Sequence, residues 1–488
     1  MDDISNKLFL RLSSATFNYG FGQVLPMIIG FFLIPVYTRY LTPEDYGIVG
    51  LAAPLGALIV ILMRVGVPGA VTRFYYDYKE GSNLRNYITT VSKFLNISSV
   101  FVGSLTGIIL YFFIDTIIPG LPFYPFVIIV ILTQIFASQT DLQRRLLQAR
   151  EQSSYTAKLN IMFAIAGIGL ALLFVVVFEW GAVGMVLSML ATTFLFFVVS
   201  RYYLKNDLKG KFSKSLLVGS LIYGAGVLPF HLLKTAQPII ILSILSSQSS
   251  LVAVGLLAVA MRFTQPLEIA ITAFNSAYTP IYYDYRKDGR SHKLNDMIST
   301  IEFTLIISGC FFLGGAIFGP ILLLIMTPQN FHAAHSIIPI LTVGIIPRTL
   351  YNLLVVEIEY QKKTWLFPLM TLCSGSVVIF ITLMTVENFG AKGVASALIC
   401  GSWIFLFLSI WFVVKNSPLP YIWSNIVKII LSPFILFLVF EYFIYDDNYW
   451  LQIIFGICCI LIYLLISYLG IASMRANISN MLSWKKIK

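Results

Sequence analysis

Lys234, Arg262 and Arg348 lie inside long apolar stretches of the chain. A charged side chain there costs about 2.5–3.5 kcal/mol to insert, so those retained face a protein-lined or watery interior. The chemistry such bases offer is capture of an anion, Arg through a planar fork of donors and Lys through a compact charge. A polar lining accompanies them. His231, Lys234 and Gln237 recur every third residue and share one helical stripe. Gln265, Glu268, Thr272, Asn275, Ser276 and Thr279 stay within a sector of about 100°, with Arg262 at its margin. Asn352 follows Arg348 by about one helical turn and shares its face, and Glu357 and Glu359 come later in the same stretch. A structural alternative pairs Lys234 or Arg262 with Glu268 between neighbouring helices and lets His231 donate to a backbone carbonyl. Glu302 and Glu441 fit interfacial or paired positions, and Arg39 and Arg73 fit loop anchors.

Catalysis and metal binding find little support in the residues. No Asp-x-Asp occurs, and Asp446-Asp447 stands alone beside tyrosines. Gly210-Lys211 is followed by Phe212 and lacks the upstream glycine of a phosphate-cradling loop. All five cysteines, Cys310, Cys373, Cys400, Cys458 and Cys459, fall in apolar stretches and suit packing rather than disulfides or a metal cluster. The expectation is a protein that is not an enzyme and carries no cofactor or metal, with a coupling ion, H+ or Na+, left open.

The elements that must position these residues are membrane helices. A chain of 488 residues with 58% hydrophobic and only 11% charged side chains, and a mean hydropathy of +0.85, cannot clothe a soluble core. Allowing roughly 20 apolar residues per crossing, the chain divides into about fourteen spans. Spans one, two, four, seven, eight and ten fall at 15–37, 46–65, 122–140, 216–245, 251–278 and 337–356. Lys and Arg crowd every second connection, while the opposite connections hold only Arg39 and Lys392. The positive-inside rule then places both termini in the cytoplasm. The formal charge of +11 reflects this topology and contact with anionic lipid, and implies no nucleic-acid partner. The first span is too long for a signal h-region and is expected to be retained.

The chain also repeats itself. Tyr19-Gly20-Phe21-Gly22-Gln23-Val24-Leu25-Pro26 matches Tyr223-Gly224-Ala225-Gly226-Val227-Leu228-Pro229 at a shift of 204. Gln152 matches Gln361, and Gly181-Ala182-Val183-Gly184 matches Gly390-Ala391-Lys392-Gly393, both at a shift of 209. A six-helix unit has an even number of crossings, so its two copies share one orientation about an axis along the membrane normal. The expected fold is all-α and polytopic, two six-helix lobes in parallel pseudo-repeat plus two C-terminal helices. Its boundaries are a cytoplasmic leader at 1–14, a first lobe at 15–204, a basic linker at 205–215, a second lobe at 216–415, spans thirteen and fourteen within 416–474, and a basic tail at 475–488. Gly22, Pro26, Gly226 and Pro229 are candidate hinges, because Pro removes a helical hydrogen bond and Gly lets helices approach.

The stretch Thr38-Arg39-Tyr40-Leu41-Thr42-Pro43-Glu44-Asp45-Tyr46-Gly47, with Gly66-Val67 leading to Arg73-Phe74-Tyr75, resembles the Wzx-type oligosaccharide flippases. Ala277-Tyr278-Thr279-Pro280, Gln361-Lys362-Lys363-Thr364 and the Gly390 to Gly393 turn add to the resemblance, which covers essentially the whole chain. Their superfamily also contains multidrug exporters and lipid II flippases. Many relatives carry an Asp-Arg pair near the end of span seven, where this chain reads Leu242-Ser243-Ile244-Leu245-Ser246. The resemblance implies a bacterial inner or plasma membrane protein that moves polyprenyl-pyrophosphate-linked oligosaccharide repeat units outward by alternating access. It further implies O-antigen, lipopolysaccharide or capsule synthesis, with membrane lipid, a polysaccharide polymerase and assembly proteins as partners. On this reading Lys234, Arg262 and Arg348 attract the pyrophosphate, and His231, Gln237, Gln265, Glu268, Thr272, Asn275 and Asn352 line the cavity. A cation-coupled multidrug exporter is the first alternative, and Glu268 would suit its cargo. A membrane glycosyltransferase or polymerase would need positioned carboxylates and a large external loop, which the connections do not offer. A non-transporting scaffold would leave the polar stripes without a purpose.

Overall fold

The computed structural model describes residues 24–78, 82–288, 292–417, 421–443 and 449–470. Among these the regular structure is entirely helical. Among the described residues, twelve helices are long and apolar enough to cross a membrane. The longest, Leu366–Asn416, serves as two spans, because its backbone breaks at Gly390 with φ 52° and ψ −128°. The chain is therefore a polytopic all-α membrane protein, as its composition requires. Most of the expected first span, including Gly22, lies outside the described residues; 24–32 is helical, turns at Leu33 and continues as Ile34–Tyr40.

The Thr42-Pro43-Glu44-Asp45 sequence is a helix start. Thr42 Oγ1 accepts from Asp45 N at 3.2 Å, and Asp45 Oδ2 accepts from Thr42 N at 2.9 Å, which satisfies donors at the start of Pro43–Arg64. Asp45 does a second job. Its Oδ1 accepts from Ala182 N at 3.1 Å, so one carboxylate caps two helices, Pro43–Arg64 and Gly181–Leu204.

Close contacts divide the chain into two units, Met1–Ala258 and Val259–Lys488. The division falls inside the helix Leu251–Asp288 and not in the basic connection 205–215. The reason is backbone packing. Helix Lys214–Gln248 crosses the turn at Val65 and Gly66 so closely that a Cβ on Gly66 would lie 2.7 Å from Gly224 Cα. At its other end Ser246 Oγ donates to Pro119 O at 2.5 Å. Gly47 and Gly255 likewise bring Pro43–Arg64 against the start of Leu251–Asp288, each meeting a backbone carbonyl of the other segment. Small residues allow this approach, which larger side chains would prevent.

In the second unit helix His292–Met326 carries the core, with Phe312, Leu313 and Ile317 buried against Trp423–Phe443 and Tyr449–Gly470. The last two helices are thus part of this core, and Gly309 leaves room for the buried Tyr463 ring.

The repeat is visible in the backbone. Gly181 and Gly390 both take positive φ, 54° and 52°. Gly184 and Gly393 each lie under a carbonyl of the preceding helix, where an added Cβ would sit 2.8 Å from Phe174 O and from Thr385 O. The helices ending at Ala149 and Tyr360 close with the same bonds: Gln152 N to Leu147 O, and Lys363 N to Ile358 O. Gln152 therefore corresponds to Lys363 in the backbone, two residues beyond the Gln361 that side-chain identity suggests.

Candidate anion-binding site

Helix Ile345–Tyr360 and the part of Leu251–Asp288 that lies in the second unit bring two of the singled-out residues together. Arg348 forms an ion pair with Glu268, and their side chains remain 37% and 44% exposed. Pro347 and Thr349 beside Arg348 are buried, so the backbone is fixed while the guanidinium reaches outward along the helix surface. Arg262 Nη1 donates to Gln265 Oε1 at 3.3 Å, one turn away on its own helix. Thr272 returns its hydroxyl to Glu268 O at 2.9 Å, and Thr279 to Asn275 O at 3.0 Å. Asn275 Oδ1 is buried without a hydrogen-bond partner, and Asn352 is half-buried. The structural alternative pairs Glu268 with Lys234 or Arg262; the ion pair of Glu268 in the structure is with Arg348.

Lys234, His231 and Gln237 belong to helix Lys214–Gln248 of the first unit. Lys234 and His231 are exposed, Gln237 is half-buried, and the His231 ring lies against Phe230 with centroids 5.6 Å apart. Pro229 sits inside this helix without ending it, Gly226 has open space around it, and Pro26 is half-buried in the 24–32 helical stretch.

Two polar networks were hidden from sequence reasoning. In the second unit Glu357 is fully buried and accepts from Arg286 Nη2 at 2.8 Å, Arg286 Nε at 3.0 Å, Gln361 Nε2 at 2.6 Å and the Tyr282 hydroxyl. Gln361 Nε2 also donates to Asn416 O at 3.0 Å, so this carboxylate gathers three helix ends. Burial, and next the nearby Tyr421 and the Glu357 charge, push the Tyr282 phenol above its ordinary range. In the first unit Arg64 Nη1 stands 3.3 Å from Asp141 Oδ2. The available signal was an acid, Asp141, set among Arg144 and Arg145 in a stretch otherwise read only as basic. Glu302 is buried and accepts from Asn425 Nδ2 at 2.8 Å, and Arg73 pairs with Asp77 at 3.0 Å. All five cysteines are free.

Solved structures share this fold. A lipid II flippase, MurJ, in an inward closed conformation superposes with a TM-score of 0.71 at 17% identity, over 93% of this chain and 99% of that one. An inward-facing multidrug resistance MATE transporter of the MOP superfamily gives a TM-score of 0.63 at 14% identity, over 84% and 99%. A MOP superfamily transporter from Pyrococcus furiosus, described as having a binding pocket of reverse polarity, gives 0.53 at 15% identity, over 86% and 95%. No curated protein matches the sequence. The family of polysaccharide biosynthesis proteins matches residues 14–285, which include the double-capping Thr42–Asp45 turn and the helix that carries Glu268. With more than half of its length described by that family, the chain is a member of the polysaccharide biosynthesis protein family.

Proposed function

We propose that the protein flips polyprenyl-pyrophosphate-linked oligosaccharide repeat units from the cytoplasmic to the outer leaflet, by alternating access, for O-antigen or capsule-type polysaccharide synthesis. The single observation that carries this reading beyond the family is the Arg348–Glu268 pair. It is a guanidinium fitted for a phosphate oxygen pair, held in a span by a carboxylate that remains accessible to exchange. An arriving pyrophosphate takes over Arg348 from Glu268, and the released carboxylate then repels the cargo when the site has to empty. Arg262, joined only to Gln265 on its own helix in the contacts described above, adds a second cation on the same face. The same pair weighs against a lipophilic cation as cargo, because Glu268 is already neutralised.

The cytoplasmic side is the side of the Lys and Arg-rich connections, by the positive-inside rule. A polymerase and assembly proteins would receive the cargo on the other side. The test is removal of the protein followed by isolation of the lipid-linked intermediate that accumulates, with its leaflet assigned by access of an impermeant sugar-oxidising reagent. Accumulation on the cytoplasmic face is the expected result. Unchanged intermediates together with retained drugs would overturn this reading in favour of drug export.

A further inference from the structure

We propose that Arg64 and Arg145, contested by Asp141, form a phosphate-binding site in the first unit, separate from the Arg348 pair. Two guanidiniums share one carboxylate there. Arg64 Nη1 is 3.3 Å and Arg145 Nε 3.9 Å from the same oxygen, Asp141 Oδ2. Arg144, next to Arg145 in sequence, turns its guanidinium over the Phe163 ring at 5.5 Å instead. Asp141 cancels one of the two charges in contact with it and leaves a surplus of one. Arg64 is also incompletely satisfied. Its Nη2 donates to Ala137 O at 2.9 Å, while its Nε is buried and has no hydrogen-bond partner among the described residues. A buried donor of a charged group costs free energy when left unmade, and a multi-oxygen anion at this position would accept it and offset the surplus charge together.

The internal repeat sharpens the assignment. The helix starts at Thr42 and Ser250 carry equivalent side-chain caps, to Asp45 N at 3.2 Å and Ala253 N at 3.1 Å. The ends at Ala149 and Tyr360 share their closing bonds, as described above. Counted from those landmarks, Glu268 and Arg348 correspond to Val60 and Ala137, each one helical turn before Arg64 and Asp141. Both units thus build an Arg–carboxylate pair on the same two helices of the repeat, with the polarity exchanged. In the second unit Glu268 pairs with one base, whereas in the first Asp141 stands between two. A neutral pair suffices to join two helices, so the surplus points to a ligand.

The ligand is a phosphate or diphosphate group, from the lipid-linked cargo or from an anionic membrane lipid. Its assignment to cargo rests on the transport reading above; the site itself does not. The test uses the full chain in nanodiscs of zwitterionic lipid, in an Arg348→Gln background, titrated with inorganic pyrophosphate. Arg64→Gln and Arg145→Gln are each expected to weaken binding about tenfold or more, and Asp141→Asn to tighten it. Arg64→Lys, which keeps the charge but loses the fork, should fall between. Competition by undecaprenyl pyrophosphate, with none by phosphatidylglycerol, identifies the cargo as the source; the converse identifies the membrane. Should Arg64→Gln fail to fold, Arg145→Gln, on the more exposed side of the cluster, decides the matter. Wild-type pyrophosphate affinity in the folded Arg145→Gln and Arg64→Lys variants would overturn the site. Lost binding in these variants, combined with no lipid-linked intermediate accumulating on removal of the protein, would instead leave the site standing and refute the transport reading.

Discussion

Glu268→Gln isolates the competition on which the proposed exchange depends. The substitution keeps the side chain's size and removes the charge that neutralises Arg348. Its magnitude lies between two limits. Exposed ion pairs contribute about 0.2–1 kcal/mol, and two unit charges about 4 Å apart at an effective dielectric of about 20 interact by roughly 4 kcal/mol. With both side chains more than a third exposed, at 37% and 44%, solvent screening brings this pair near the lower limit. A competition of about 0.5–1 kcal/mol corresponds to roughly 2–5-fold. The Glu268→Gln protein should therefore bind undecaprenyl pyrophosphate about 2–5-fold more tightly than wild type, measured by thermophoresis of the purified chain in detergent. Arg348→Ala should lose affinity, and the double variant should resemble Arg348→Ala. Export should fall in Glu268→Gln despite tighter binding, because the group that evicts the cargo is gone. Equal affinities in wild type and Glu268→Gln, with Arg348→Ala also unchanged, would refute the exchange.

Glu357→Ala should lower thermal stability by about 3–5 kcal/mol, since it strands Arg286 and opens a fully buried junction, while Glu359→Ala should be nearly neutral; fluorescence-detected size exclusion after heating reads the difference. Gly224→Ala places a Cβ against Val65 O and the Gly66 backbone and should destabilise by about 1–3 kcal/mol, whereas Gly226→Ala meets open space and should be tolerated, by the same assay. Gly390→Ala forces an ordinary residue into φ 52° and ψ −128° and should cost about 1–3 kcal/mol, visible as reduced folded yield at fixed expression.

The spans were legible because lipid imposes length and apolarity on every crossing, and the Gly-Ala turns of the repeat were legible because positive φ and close approach select glycine. Gly390 illustrates both, separating two spans inside one continuous run of helix. The unit boundary was not legible. A charged linker at 205–215 reads as a divider, yet contacts through Gly224 and Ser246 hold the following helix in the first unit, and no local pattern records what a distant turn will touch. The polar stripes around Lys234, Glu268 and Arg348 followed from helical spacing alone. The partner choices did not, because Glu268 had several bases in prospect and only the packing of Ile345–Tyr360 brings Arg348 to it. Arg64 escaped notice for a related reason: it ends its helix at a left-handed turn, where a basic residue reads as a loop charge.

Helix Lys214–Gln248 is seated at Gly224 against one turn and at Ser246 against another. Between these seats Pro229 and Pro238 supply no N–H to the carbonyls of Ala225 and Lys234, four residues back. A column fixed at both ends and notched between them answers compression by buckling at the notches. Lys234 rides on that stretch, its own carbonyl left without a helical donor, so a bend there would re-aim its ammonium while both feet of the column stay in their sockets.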